Sequence, residues 1–266
     1  MFVSIICRDR FISIFYIVCH KGYKPRSSIE DCKTDINQRV YIYKMNILSS
    51  ILIVSGAFSI STLTAYLICY LNKQPFFNPT LTDTERGLQI NDYVKNVPIL
   101  IIQSGGLLYF ISDNIIPYNE HTWFQSLYTI CLYCVYIEAI YYVYHRVVHK
   151  YGYSIIHKKH HKNIIVYPFD TFYLTELDDF ASIIAIGIPI VFIQISLLEQ
   201  FIILYMYITS SYLSHSELFW AYHSIHHRFQ KYNYCILFPI FDILFGTYNA
   251  KKAILSHKDI TMDINT

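Results

Sequence analysis

Nine of the chain's twelve histidines fall between residues 145 and 227, a window of under a third of its 266 residues. They come as His145 and His149, then His157, His160 and His161, then His223, His226 and His227, with His215 just ahead of the last group. Their spacings are H-x-x-x-H, H-x-x-H-H and H-x-x-H-H. Side chains three and four apart share a helix face, so each group can aim two or three imidazoles at one point. Neutral imidazole is a ligand for iron, zinc, copper and nickel, whereas magnesium and calcium take oxygen. Eight or nine imidazoles are too many for one ion and suit two metals held close together. A structural zinc site would bring cysteine with it, and there is no H-E-x-x-H of a zinc protease. Two irons with open positions would bind and activate dioxygen. The isolated His20, His121 and His257 are expected not to be ligands.

The elements that must carry these histidines are apolar. The chain is 54% apolar, 17% aromatic and only 15% charged, which is poor in charge for a soluble domain and reads as an integral membrane protein. Residues 45–72 carry no charge, longer than the roughly 20 residues that cross a bilayer as a helix. Residues 96–118 and 121–144 are further candidates, each holding one acid, Asp113 and Glu138. Residues 180–198 and 200–214 read as a hairpin. The pattern predicts an all-α membrane bundle of about four to five spans, hairpin included, under a histidine-rich helical cap that holds two irons. The hairpin leaves and returns on one face, so all nine histidines can meet there. Arg146, Lys150, Lys158, Lys159, Lys162, Arg228 and Lys231 surround them and mark that face as cytosolic. Lys158 and Lys159 are candidates for docking an acidic electron donor, against the ordinary reading of a solvated basic face.

The expected organisation is a tail over 1–44, a first span and loop over 45–96, the membrane domain over 97–250 and a C-terminal tail over 251–266. The basic residues of the first tail conflict with three spans before the site; a translation start at Met45 would remove them. A net charge of +2 and the lack of a basic, aromatic-interleaved stretch argue against nucleic acid. Cys131 and Cys134 form a C-x-x-C inside a span and are read as packing. Glu138 lies on the helical face of His145 and His149, and a carboxylate buried in a span is functional by default. It is expected to accept a ligating imidazole's N–H. Asp242, Asn233 and Glu217 are candidates for the same outer layer or for fixing helices.

These residues resemble the fatty acid hydroxylase and sterol desaturase superfamily. Its three histidine motifs read here as H-R-V-V-H, H-K-K-H-H and H-S-I-H-H, and its closing signatures as Tyr232-Asn233-Tyr234 and Phe241-Asp242-Ile243-Leu244-Phe245-Gly246-Thr247. The resemblance covers about residues 97–250. The run from Tyr222 to His227, followed four residues later by Tyr232-Asn233, is most similar to C-5 sterol desaturases. That likeness implies removal of two hydrogens from C-5 and C-6 of a delta-7 sterol. It implies dioxygen, two iron ions, and electrons from NAD(P)H through cytochrome b5 and its reductase, at the endoplasmic reticulum membrane. The alternatives are a fatty acid or sphingolipid hydroxylase of the same superfamily and a non-catalytic metal-binding membrane protein. The sequence departs from the superfamily where Thr175-Glu176-Leu177-Asp178 replaces H-P-x-[DE], which leaves Glu176 and Asp178 as candidate substitute ligands. Cys235 replaces the glycine after N-Y, and Phe241 replaces a tryptophan.

Overall fold

The computed structural model describes residues 45–116, 120–216, 218 and 222–249, and these are mostly helical. Helix α1 (Ile47–Leu71) starts where the Asn46 side chain accepts from the Ser49 amide. Its buried residues, Ser50, Val54, Ala57, Phe58, Ser61, Ala65 and Cys69, recur every three or four positions and are mostly small, which lets neighbouring helices approach closely. Helix α2 (Asp83–Phe110) opens with a capping box between Thr82 and Glu85. It lies so close to α1 that a Cβ on Gly105 would stand 2.7 Å from Ile51 Cγ1 and 2.9 Å from Ile51 Cα, closer than any side chain allows. Helix α3 (Trp123–Val147) is capped by Thr122 with Gln125 and runs on without a break to His157. Helix α4 (Glu176–Gly187) is capped by Thr175, and α5 (Leu197–Ser214) by Ser196 with Glu199. Short helices α6 (Tyr222–Phe229) and α7 (Ile240–Leu244) follow. Helix α1 packs along α2 and α5, and the central core joins α3 to α5 through Ile137, Tyr141, Ile203 and Tyr207.

The expected span 96–118 is carried by a helix that begins earlier, at Asp83, and ends at Phe110. The run 180–198 is not one helix. It breaks after Gly187 into a 3-10 turn containing Pro189 and a strand, β2 (Ile195–Ser196), which pairs in parallel with β1 (Ile115–Ile116). This clasp ties the end of the α2 segment to the hairpin tip. Among the described residues, two helices are long and apolar enough to cross a membrane, Ile47–Leu71 and Trp123–His157. Only 28% and 39% of their most apolar windows are buried, so most of each surface needs an apolar surrounding. His121, expected to be no ligand, pairs with Glu199 at 2.9 Å. Cys131 is exposed and Cys134 buried, both free thiols. His20, His257 and both tails lie outside the described residues.

Candidate metal centre

The helix Trp123–His157 has 35 residues, about 52 Å at 1.5 Å per residue, against a hydrocarbon core of about 30 Å. His145 lies about 33 Å along it, so the histidines begin where an apolar slab would end. From Val148 to His157 the helix widens to π winding. Twelve residues of α-helix would leave His157 about 120° around the axis from His145. At roughly 4.4 residues per turn over the π stretch, the difference falls to about 45°. The two rings therefore meet, with His145 Nε2 3.0 Å from His157 Nε2.

All nine histidines converge, in two adjoining groups: His145, His149, His157, His161 and His226, and His160, His215, His223 and His227. Within each group the candidate ligand atoms lie within 4.8 Å of one another. Each pair four residues apart serves one group: 145 with 149, 157 with 161, 223 with 227. The intervening His160 and His226 turn to the opposite group, because adjacent helical residues point about 100° apart. Rings of the two groups touch, with the centroids of His161 and His227 4.4 Å apart. His149 is half-buried; the other eight are buried.

The ring tautomers are fixed by outer partners. His145 Nδ1–H donates to the Tyr234 carbonyl, His226 Nδ1–H to the Tyr232 carbonyl and His215 Nδ1–H to the Ser211 carbonyl, each at 2.7 Å. His157 Nδ1–H donates to Asp178 Oδ2 at 2.7 Å. Their Nε2 lone pairs therefore point inward, and those of His145 and His157 face each other with no proton between them. His227 Nε2 lies 3.1 Å from the Nε2 atoms of both His160 and His215, and His226 Nε2 lies 3.0 Å from that of His149 and 3.2 Å from that of His161. Adjacent ligands about 2.1 Å from an octahedral ion stand about 3.0 Å apart. Ring nitrogens gathered at that spacing fit a cation among them. Burial, reinforced by neighbouring imidazoles, holds His160, His223, His226 and His227 well below the ordinary imidazole range. Burial pushes His161 down to about 3 and His215 to about 4. Those rings stay neutral at physiological pH, the form that binds metal.

The outer layer differs from expectation at several residues. Glu138 touches no imidazole. Its carboxylate accepts the amides of Ile236, Leu237 and Phe238 at 2.9–3.1 Å and the Tyr207 hydroxyl at 3.1 Å, so it anchors the loop after the last histidines. Asp242 accepts the amides of Tyr234 and Cys235 at 2.8 and 2.9 Å, and thereby sets the Tyr234 carbonyl that holds His145. Asn233, at φ 58, exchanges hydrogen bonds with the Asn249 backbone and fastens the strap at 247–249. Asp178 supports His157 from outside the ligand layer and also accepts the Tyr144 hydroxyl. Glu176 is exposed and stands apart from both groups. Thr175, in the position of the missing family histidine, donates to the Ile156 carbonyl at 2.7 Å, joining α4 to the π segment. Glu217 lies outside the described residues. The carbonyls of Ser211, Tyr232 and Tyr234 were unreadable in sequence, since every residue has one. Asp178 was findable from its place in the departed motif.

Residues 130–247 match the fatty acid hydroxylase family model. No curated protein and no solved structure matches the chain. The family match contains all nine histidines and supports the fatty acid hydroxylase/sterol desaturase superfamily for this part of the chain, with the oxidoreductase and iron chemistry that superfamily suggests. Two surfaces give the fatty acid hydroxylase-like region its access. An apolar channel, lined by Phe58, Leu108, Tyr141, Ile183 and Leu204 among others, reaches His160, His215 and His223 of the four-histidine group. A second, open concavity reaches His149 of the five-histidine group and is lined by Arg146, Lys150, Arg228 and Lys231, with no acidic residue among the described lining residues. Lys159, expected as a docking residue, is instead bound to Asp92 at 2.8 Å.

Proposed function

We propose that the nine histidines ligate two iron ions and that the chain is a membrane-bound oxidoreductase introducing the C5–C6 double bond into a delta-7 sterol. In this reading the sterol loses two hydrogens, NAD(P)H supplies two electrons through cytochrome b5 and its reductase, and one dioxygen is reduced to two waters. The observation that carries it is the ending of an apolar channel on a group of neutral, inward-facing imidazoles. The sterol, over other lipids, rests on the run Tyr222 to His227 with its four-residue gap before Tyr232-Asn233.

Bound iron would supply dioxygen activation and hydrogen removal from an unactivated C–H bond. The protein's own residues orient and seclude. Asp178 and the three carbonyls aim the imidazoles; five donors in one group and four in the other leave the four-histidine group the less saturated. That group is also the one the channel reaches. The channel's walls exclude water and hold the lipid end-on. The basic concavity beside His149 receives the acidic electron donor, so substrate and electrons arrive by separate openings. Four to five crossings in the endoplasmic reticulum membrane, with the histidines cytosolic, fit the basic residues around the site.

The deciding experiment is the sterol profile of a C-5 desaturase-deficient cell with and without this chain. A new 5,6 double bond is expected, with about two irons per purified chain. Unchanged sterols with newly hydroxylated acyl or sphingolipid chains would replace the sterol reading with the hydroxylase one, which the family match equally favours. A folded, iron-free chain with no lipid product would leave a scaffold.

A further inference from the structure

Outside the histidines, the apolar channel is bordered by two buried side-chain oxygens that no partner among the described residues satisfies. Helix α5 lines it with Gln200, Leu204, Ile208, Ser211 and His215, a single helical stripe about 22 Å long by the rise per residue. Asp179 borders the same cavity, is 4% exposed, and its Oδ1 has no partner. Gln200 borders it too, is 3% exposed, and its Oε1 has none. The two sit at different ends. Asp179 lies in the first turn of α4, which Thr175 and Asp178 tie to Ile156 and His157, and it shares the cavity with His160, His215 and His223, so it belongs to the histidine end. Gln200 is fifteen residues from His215 on α5, at the far end.

We infer that Asp179 is a specificity-determining residue that hydrogen-bonds a hydroxyl of the lipid close to its reacting carbon. The inference rests on the proposed lipid-oxidising function and narrows its substrate class. A buried polar atom without a partner costs about 1–3 kcal/mol, and an apolar channel has no reason to keep one unless the ligand completes it. A hydroxyl completes it in either protonation state, since it donates to a carboxylate and accepts from a carboxylic acid. A plain acyl chain offers no donor at that depth. A sterol does, because its 3-hydroxyl lies two carbons from C-5, so binding at Asp179 would present the C5–C6 bond to the four-histidine group and send the side chain toward Gln200.

The test is equilibrium binding of radiolabelled lipids to the full chain in nanodiscs, with no turnover. The probes are a delta-7 sterol, its 3-deoxy analogue, and a ceramide with its 1-deoxy analogue. The unaltered chain is expected to prefer the hydroxylated sterol at least about tenfold, because a site built for a hydroxyl rejects the analogue that leaves it unpaired. Asp179→Leu should reduce that preference to near unity by weakening only the hydroxylated probe, while Asp179→Asn keeps most of it. Collapse of the preference in Gln200→Leu but not Asp179→Leu would overturn the inference, as would equal binding of hydroxylated and deoxy probes by the unaltered chain. A hydroxyl preference that depends on Asp179 but appears only with ceramide would sustain the inference and defeat the sterol reading.

Discussion

Asp178 illustrates how a single side chain directs a ligand it does not replace. Its Oδ2 takes the His157 Nδ1 proton at 2.7 Å, which commits the ring's other nitrogen to the interior. Loss of such an outer partner lowers metal affinity about 10- to 100-fold. Asp178→Ala should lose iron to a chelator that leaves the unaltered chain loaded, read as iron per chain after dialysis. Glu138 predicts a different loss, of stability. Glu138→Ala strands the buried amide of Ile236, at about 1–3 kcal/mol, and frees the part-buried amides of Leu237 and Phe238, so it should lower the melting temperature even in metal-free protein; an unchanged melt would refute the anchoring role. The histidines give a pH dependence of definite sign. Unfolded imidazoles take protons near pH 6.5, while the buried ones resist down to about 4 at His215 and about 3 at His161. The unfolded state thus binds more protons below pH 6.5, and metal-free protein should lose about 1.4 kcal/mol per pH unit for each such ring as pH falls through that window. A melting temperature flat from pH 7 to 5 would contradict it. The histidine types and spacings were plain in sequence, because face-sharing follows from helical period. Glu138 was misjudged because a buried acid announces that it has partners, but not whether they are rings or backbone amides.

At the scale of elements, the π segment is the device that sequence periodicity did not reveal. Uniform α winding from His145 would turn His157 away from the first pair, and the hydrophobic pattern contains nothing that distinguishes the wider coil. Inserting one alanine between 150 and 155 should turn His157 and all that follows by a further angle of about 80–100°, one residue's rotation at π or α winding. Iron retention should fall to less than about half that of the unaltered chain, with helix content by circular dichroism nearly preserved. The helix starts carry a local signal that the reading of 96–118 as a span passed over at Thr82. Thr82-x-x-Glu85, Thr122-x-x-Gln125 and Ser196-x-x-Glu199 each form a capping box, the signature expected of those residues. The hairpin's first leg was less legible: an uncharged run of nineteen residues suggested a crossing, but Gly187 packs against Leu107 and Pro189 enters a 3-10 turn, so α4 stops after twelve residues.

For the whole molecule, the two openings divide the labour by polarity. The apolar channel belongs to the four-histidine group and the basic concavity to His149. If cytochrome b5 is the donor, as proposed, reversing charge in the concavity with Lys150→Glu and Lys231→Glu together should raise its half-saturating concentration about tenfold at low ionic strength. Salt should narrow the gap, since surface charge is screened over about 10 Å at 0.1 M; an effect independent of salt would place the donor elsewhere. Sequence charge marked this side of the molecule but pointed to Lys159, which spends its charge on Asp92.

Helix α6 sends His226 to one histidine group and His223 and His227 to the other. Both nests therefore stay incomplete until residues 223–227 have left the ribosome and settled. A truncation just before Tyr222 would strip imidazoles from both nests at once, leaving four in one and only His160 and His215 in the other.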